Sequence, residues 1–389
     1  MSTIKFLFVR LYFFLVSFTS FGQSVKLEEI ATMPSELPEC SGMAVIGPNA
    51  IASINDSGNK PELFVLDTLG NIIKRSVLLG FENNDWESLA FADGLLYIGD
   101  FGNNANRRTN LKIYILDVSK LLSEDLWAFK GEIDFSFSDQ NSFPPDDSAK
   151  NFDLEAMVVY GDSLYLFTKN RTKPFTGFSN SYSLSRNPGK YQASKRGQIF
   201  TGNGLMHAYW VSGACLGTTK NPDLYLLGYD KIWRIQNYFH QNESLIKAET
   251  FYLGSFGQRE AICILNNRFY IGEEKVSSRE AKLNKALVPV TNESDTIKVA
   301  ESLTLPENIF GKTIELSVPD ANLQSQLYFE IYNQAGELLK KGRSKDTQIK
   351  GDKILIDTKA IRPGSYILNT VLAGKPRAFL IKKTTPQSN

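Results

Sequence analysis

Several kinds of chemistry are ruled out by what the chain has little of. It carries 3 cysteines in 389 residues (Cys40, Cys215 and Cys263), with no Cys-x-x-Cys pair. An odd, scattered set like this builds no disulfide framework, and the thiols read as small buried hydrophobes. Only 2 histidines occur, His207 and His240, so neither His-Glu-x-x-His nor any other paired-histidine zinc spacing is present. No Gly-x-Ser-x-Gly elbow and no Walker A loop appear. Beyond the first twenty residues no apolar run reaches the ~18 needed to span a bilayer, and helical periodicity is sparse. Charge is balanced, 43 Lys and Arg against 42 Asp and Glu. The basic excess is concentrated at the C-terminal end, where residues 303–389 hold 13 basic and 8 acidic side chains. The remaining body is weakly acidic, which argues against nucleic acid as a ligand, since phosphate neutralisation needs a basic face.

Aromatic residues and short alternating segments are plentiful. Aromatics make up 12% of the chain, a composition that suits pleated strands. Residues 1–22 have the form of a cleavable secretory signal. Lys5 and Arg10 supply the positive start, a short apolar run follows, and Ser20 and Gly22 are the small residues before the cut. Such a signal implies export through the periplasm to the cell surface or beyond, with no membrane span left after cleavage.

A four-residue theme then recurs: Ser41-Gly42-Met43-Ala44, Glu87-Ser88-Leu89-Ala90, Glu155-Ala156-Met157-Val158, Ser212-Gly213-Ala214-Cys215 and Glu260-Ala261-Ile262-Cys263. After most copies comes a second strand with a polar exit, then a third. A repeat at this spacing, alternating at period two, predicts four-stranded units arranged radially. The expected fold is all-β, a five-bladed β-propeller over residues 23–290. Six blades is the alternative if residues 121–150 hide irregular strands. Residues 25–31 are expected to close the ring by supplying a strand to the last unit, which removes exposed edges. Small residues at the second position let the inner strands converge on the axis.

In that register the polar residue opening each copy faces one mouth of the central channel. The candidate site is therefore Glu87, Glu155 and Glu260 with Ser41 and Ser212 between them, joined by Asp100, Asn103, Arg108, Lys169 and His207. Grouped carboxylates repel unless a cation, donors or protonation relieve them. Ca²⁺, which takes six to eight oxygens, is the candidate metal at Glu87, Glu155 and Glu260. Acids at strand ends equally accept backbone N–H groups or pair with neighbouring Arg and Lys, so structural bonding is the competing reading. Aromatics and amides near the same loops, among them Trp86, Phe101, Tyr209, Trp210 and Asn104, would suit a glycan or peptide ligand.

The segments Asp85-Trp86-Glu87, Tyr97-Ile98-Gly99-Asp100-Phe101-Gly102-Asn103-Asn104 and Phe152-Asp153-Leu154-Glu155-Ala156 resemble repeats of bacterial extracellular propellers of the "esterase-like activity of phytase" group. That resemblance implies a propeller and, by analogy, Ca²⁺-dependent hydrolysis of phosphoesters. No dense Lys/Arg cluster suited to a many-phosphate substrate is present.

Residues 291–302 form a polar linker. Beyond it, in residues 303–389, six or seven short alternating strands predict an Ig-like antiparallel β-sandwich. The run Phe329-Glu330-Ile331-Tyr332-Asn333-Gln334-Ala335-Gly336-Glu337-Leu338-Leu339, then Ile354-Leu355-Ile356-Asp357, Arg362-Pro363-Gly364-Ser365-Tyr366 and Phe379-Leu380-Ile381-Lys382-Lys383 resemble, in order and spacing, the type A C-terminal sorting domain of type IX secretion. One step departs from that family, Asn308-Ile309-Phe310 where Asn-Pro is usual. The resemblance implies the type IX machinery as a partner. The function expected from sequence is an exported ligand- or partner-binding propeller, with the phosphoesterase as the alternative.

Overall fold

A computed structural model describes residues 23–240, 245–246, 248–277, 279–289, 303, 305–306, 308–318, 324–325, 327–333, 338–372 and 375–384. The expected signal (1–22) and linker (291–302) lie outside the described residues, as do residues 334–337 of the expected hairpin turn.

Strands dominate, and the described residues between 23 and 289 form a succession of meandering sheets, labelled I to V in chain order. Sheet I comprises Cys40–Gly47, Ala50–Asn55, Glu62–Leu66 and Ile72–Val77. Sheet II comprises Trp86–Ala92, Leu95–Asp100, Leu111–Asp117 and Ala128–Phe137. Sheet III comprises Leu154–Tyr160, Ser163–Thr168, Phe178–Ser185 and Gly189–Phe200. Sheet IV comprises Gly213–Leu216, Leu224–Leu227, Lys231–Ile235 and Glu249–Tyr252. Sheet V comprises Arg259–Leu265, Arg268–Glu273 and Lys282–Leu287, and its outer strand is Glu28–Thr32 from the N-terminal end. Residues 121–150 supply the outer strand of sheet II together with a short helix, Leu121–Glu124.

Each sheet alternates so that one face buries against the sheet before it and the other against the sheet after it. Along the first strand of sheet II, Leu89 enters the core shared with sheet I, while Ala90 enters the core shared with sheet III. Separate apolar clusters fill the III/IV, IV/V and V/I interfaces. These interfaces close a ring, and the first strands pack in succession around it, that of sheet V against that of sheet I. This is a β-propeller, the radial solution to burying both faces of a small sheet. Positions 43–45, 89–91, 157–159, 214–216 and 262–264, three from each first strand, enclose an axial cavity of about 150 Å³. The converging strands explain Gly42, where an added Cβ would stand 2.8 Å from the Leu89 backbone nitrogen.

Two joints differ from expectation. The closing strand of sheet V begins at Glu28 rather than at residue 25, because Gln23–Ser24 pairs in parallel with Glu249–Tyr252 of sheet IV instead. The N-terminal segment therefore laces two sheets. The outer strands of sheets II and III also pair in parallel, Ile133–Phe137 with Gly189–Ala193, making one nearly closed sheet of the two.

From residue 309 onward two further sheets share one core. The larger pairs Ile309–Phe310, Lys375–Lys383, Gly364–Leu372, Leu327–Tyr332 and Leu338–Arg343; the smaller pairs Thr313–Ser317, Lys353–Asp357 and Gln348–Lys350. Ile314, Leu316, Ile354 and Ile356 of the smaller sheet pack on Phe329, Ile331, Leu368 and Ile381 of the larger. Tyr332 and Ile367 of the larger sheet join an apolar cluster with Trp210, Tyr229 and Phe256 of the propeller. Cys40, Cys215 and Cys263 are all free and buried.

Candidate functional site: the charged mouth of the ring

Two positions in the repeat build the mouth. The first is the polar residue opening the theme. In sheets I, II, III and V the pairing register slips between Cys40 and Gly42, Trp86 and Ser88, Leu154 and Ala156, and Arg259 and Ala261. The skipped residues are Ser41, Glu87, Glu155 and Glu260. A bulge sets two residues opposite one and re-aims a side chain, so these four leave the pleat at the same end of the channel. In sheet IV Ser212 precedes the strand, its N–H bonded to the Leu227 carbonyl at 2.9 Å.

The second position is the residue just past the second strand. Asp56, Phe101, Lys169 and Glu274 each donate a backbone N–H, at 2.7–3.1 Å, to a carbonyl just before the first strand: those of Glu39, Asp85, Asp153 and Gln258. The bond fixes each side chain beside the bulge residue of its own sheet.

On the side of sheets III to V two bases, Lys169 and Arg171, answer the acids at the first strands. Lys169 Nζ lies 3.0 Å from Glu155 Oε2 and 3.5 Å from Glu260 Oε1. The Tyr229 hydroxyl donates to the same Glu260 oxygen at 2.7 Å. The ammonium also stands 5.2 Å from the Trp210 ring centre and 5.5 Å from that of Tyr229. Burial works against a charged Lys169, but Glu155, Glu260 and Tyr229 outweigh it and hold the amine protonated well above its ordinary range. Arg171 Nε donates to Asp153 Oδ2 at 2.6 Å, and its Nη2 is 3.6 Å from Glu155. The Asp153 Oδ1 accepts the Asn103 N–H at 2.7 Å.

The side of sheets I and II is different. Carboxylate oxygens of Asp56, Asp85 and Glu87 all lie within 4.8 Å of one another. None of the three makes an ion pair among the described residues. Asp56 accepts the Ser57 N–H; Glu87, 5% exposed, has no hydrogen-bond donor among the described residues. At an effective dielectric of about 20, two carboxylates this close repel by about 3–4 kcal/mol. Burial, then the charges of Asp56 and Asp153, push Asp85 up to about 6. Burial, then Glu155, Asp56 and Asp85, push Glu87 well above the usual carboxylate range. Burial, then Glu260 and Asp56, raise Glu274 to about 9. Asp85 and Glu87 lie against the bare Cα of Gly102, where a Cβ would meet both carboxylates at 2.5 Å.

The three glutamates expected to share one Ca²⁺ converge on the mouth but do not form one set. Glu155 and Glu260 are taken by Lys169, which sequence order alone does not reveal, and the open carboxylate group is Glu87 with Asp56 and Asp85. Asp100 is neutralised by Arg108 at 2.9 Å and accepts from Asn84 Nδ2 at 3.0 Å. The Asn103 side chain folds back to accept the Arg107 and Arg108 N–H groups at 2.8 and 2.9 Å. Ser212 donates to the Arg259 carbonyl. The Ser41 hydroxyl is buried with no hydrogen-bond partner among the described residues. His207 rests on Trp210, ring centres 4.2 Å apart. Burial, then Arg171 and Lys169, lower its pKa, so it is neutral at pH 7. Trp86 is a packing residue, its indole N–H bonded to the Glu82 carbonyl at 3.0 Å. Tyr229 was not legible as a site residue; it stands two residues past the second strand of sheet IV, one beyond the equivalent of Asp56, Lys169 and Glu274.

No family model matches the chain, and no curated protein matches it. Among solved structures it is similar to PorZ, a surface component of the type-IX secretion system of Porphyromonas gingivalis, at 9% identity and a TM-score of 0.29 over 88% of this chain and 51% of that one. The chain thus spans about half the length of PorZ. It is also similar to a putative glycoside hydrolase from Parabacteroides distasonis (8% identity, TM-score 0.40, 69% and 98% of the two chains). A third is the WD40 β-propeller domain of Doa1 (10% identity, TM-score 0.31, 92% and 97%). Likenesses of this depth bear on neither substrate nor activity. No helix among the described residues is long and apolar enough to cross a membrane.

Proposed function

We propose that the chain is an exported binding module: a five-bladed propeller whose charged mouth takes a polar ligand, carried to the cell surface or released by an Ig-like, type IX sorting domain at residues 303–389. The observation that carries the binding reading is the convergence of Glu87, Glu155, Glu260 and Lys169 from three sheets onto one end of the channel. Charges held so rigidly are pre-organised, and pre-organisation is what lets a small polar site bind tightly. The buried rings of Trp210 and Tyr229 back Lys169 and Arg171 and hold these cations in place for a sugar or peptide.

Glycan and peptide arrays probed with the whole chain and with Arg171→Gln test this. Binding in at least one class that the variant loses is the expected result; equal binding by the variant, or none by either, overturns it. Deleting residues 303–389 and following extracellular protein tests the sorting assignment, for which loss of export is expected. One observation favours Ca²⁺-dependent phosphoester hydrolysis as a second reading, namely the unpaired carboxylates of Asp56, Asp85 and Glu87. A phosphoester panel with Ca²⁺ and with chelator tests it, and no turnover in either condition removes it.

A further inference from the structure

We propose that the C-terminal unit, the two sheets from residue 309 onward, is a removable cap on the rim of the mouth. Seated there, it covers the aromatic surface of Trp210, Tyr229 and Phe256; its departure opens that surface as the apolar part of the ligand site. This rests on the reading of the mouth as the binding face and adds what controls access to it.

The contact follows from strand alternation. Ile331, Tyr366 and Leu368 of the larger C-terminal sheet face the core shared with the smaller one. Their neighbours Tyr332 and Ile367, paired across two antiparallel strands, therefore face outward. Both are nevertheless buried, because they meet Trp210, Tyr229 and Phe256 of the propeller. The Tyr332 ring stands 5.7 Å from that of Phe256. From there a row of rings leads into the mouth: Phe256 to Tyr229 at 5.5 Å, Tyr229 to Trp210 at 6.1 Å, and Trp210 to His207 at 4.2 Å. Arg171 and Lys169 stand over Trp210, 4.5 and 5.2 Å from its ring centre.

The propeller's share of this contact lies at the mouth end. Trp210 leads into the first strand of sheet IV, Tyr229 sits in the turn between its second and third strands, and Phe256 leads into sheet V. A second contact falls on the same sheet, where Gln23–Ser24, laced onto sheet IV, lies beside Lys375–Lys383. Each face is shaped without the other. Within the propeller, Trp210 Nε1 donates to the Asn170 carbonyl and the Tyr229 hydroxyl to Glu260, both at 2.7 Å. Within the C-terminal unit, the Tyr332 hydroxyl donates to Glu330, which also accepts from Tyr328 at 2.5 Å. Two preformed faces that meet through rings and an isoleucine can part and leave both units folded. The face left on the propeller, tryptophan, tyrosine and phenylalanine beside an arginine, has the composition of a binding hot spot. A cut within residues 291–302 would turn the contact from intramolecular to bimolecular, so that dilution releases the cap.

The test compares the full chain with Ile367→Asp and Tyr332→Ala, whose changes point away from the C-terminal core. Amide hydrogen exchange in residues 205–210 and 254–258 should speed about tenfold in both variants. Emission of the apolar dye 1-anilinonaphthalene-8-sulfonate should rise severalfold, while the propeller melts within about 2 °C of the parent. Array binding should strengthen about tenfold, the gain from freeing a site that is open a tenth of the time. Glu315→Gln, in the smaller sheet and turned from the propeller, should change none of these. Cleaving the parent at a protease site placed within residues 291–302 should give the same responses on dilution, without altering either face. Parent-like exchange in both variants and in the cleaved chain overturns the proposal. So does faster exchange without more dye emission, or with array binding unchanged or weaker in a chain that binds. If no form binds any array, the binding reading fails by itself, and exchange and dye still decide whether the C-terminal unit covers the rings.

Discussion

The two sides of the propeller mouth are built from the same two positions of the repeat and reach opposite electrostatic outcomes. At the position after the second strand, sheet III places Lys169, while sheets I and V place Asp56 and Glu274. With a lysine there, two bulge glutamates become the arms of one buried ion pair; with Asp56 there, Glu87 of the next sheet joins a cluster of like charges, and Glu274 adds an acid beside Glu260 with no base of its own among the described residues. Buried charges persist when paired and are otherwise relieved by protonation or by a cation. One side is closed by the protein's own base, and on the other the acids face one another without one.

The strongest way to break that comparison is to remove the base from the closed side. Lys169→Met leaves Glu155 and Glu260 facing each other without a counter-charge in the interior, a loss of about 3–5 kcal/mol. At ~2–4 °C per kcal/mol, the Tm should fall by roughly 10 °C. Adding Glu260→Gln to the same protein should restore part of it. A single variant that melts within about 2 °C of the parent would mean the pair contributes little and the two sides are alike. The converse substitution sharpens the comparison. Asp56→Lys installs on sheet I the residue type that sheet III already has. It should raise the metal-free Tm by about 3–6 °C, equivalent to ~1.5 kcal/mol of relieved repulsion, and should remove any response to Ca²⁺.

Much of this mouth was legible from the repeat. Alternation with a small second residue marks first strands that crowd an axis, and Glu87, Glu155 and Glu260 follow from that register. The pairing was not legible. Lys169 extends from sheet III to Glu260 of sheet V across sheet IV, whose first strand opens with the short Ser212 and whose Tyr229 hydroxyl bonds the same Glu260 oxygen. Such a reach depends on what the intervening sheet omits, and a strand-by-strand reading treats each unit alone. The bulges were also invisible, because an extra residue in one strand leaves the period-two pattern on either side intact. At the N-terminus, alternation located a closing strand but placed it three residues early, since the parallel pairing of Gln23–Ser24 with sheet IV leaves no mark in local sequence.

A smaller effect separates the sides by pH. Glu274 carries a pKa raised to about 9 in the folded chain, against about 4.3 for an unperturbed glutamate. Between these values the folded state binds more protons than the unfolded one, so its stability falls as pH rises. Asp85, raised to about 6, adds to the fall in the lower part of the window. Metal-free protein should therefore melt several degrees lower at pH 9 than at pH 6. Glu274→Gln, which keeps the shape and an acceptor for the Gln258 amide, should flatten that slope. An unchanged slope in the variant would place the titration elsewhere.

The smallest expected effect belongs to His207, on the closed side. Its ring is held against Trp210 and its pKa is lowered first by burial and then by Arg171 and Lys169. The sign is opposite to that of Glu274: the unfolded chain gains this proton before the folded one, so stability present above about pH 6.5 is lost as pH falls through the folded value. Replacing His207 with Gln removes that loss and little else, and should change the Tm at pH 7.5 by less than about 2 °C while reducing the drop between pH 7 and pH 5. If the imidazole instead contacted a ligand, His207→Gln would weaken array binding at pH 7.5 with no change in melting, and His207 would then join Arg171 in the contact surface.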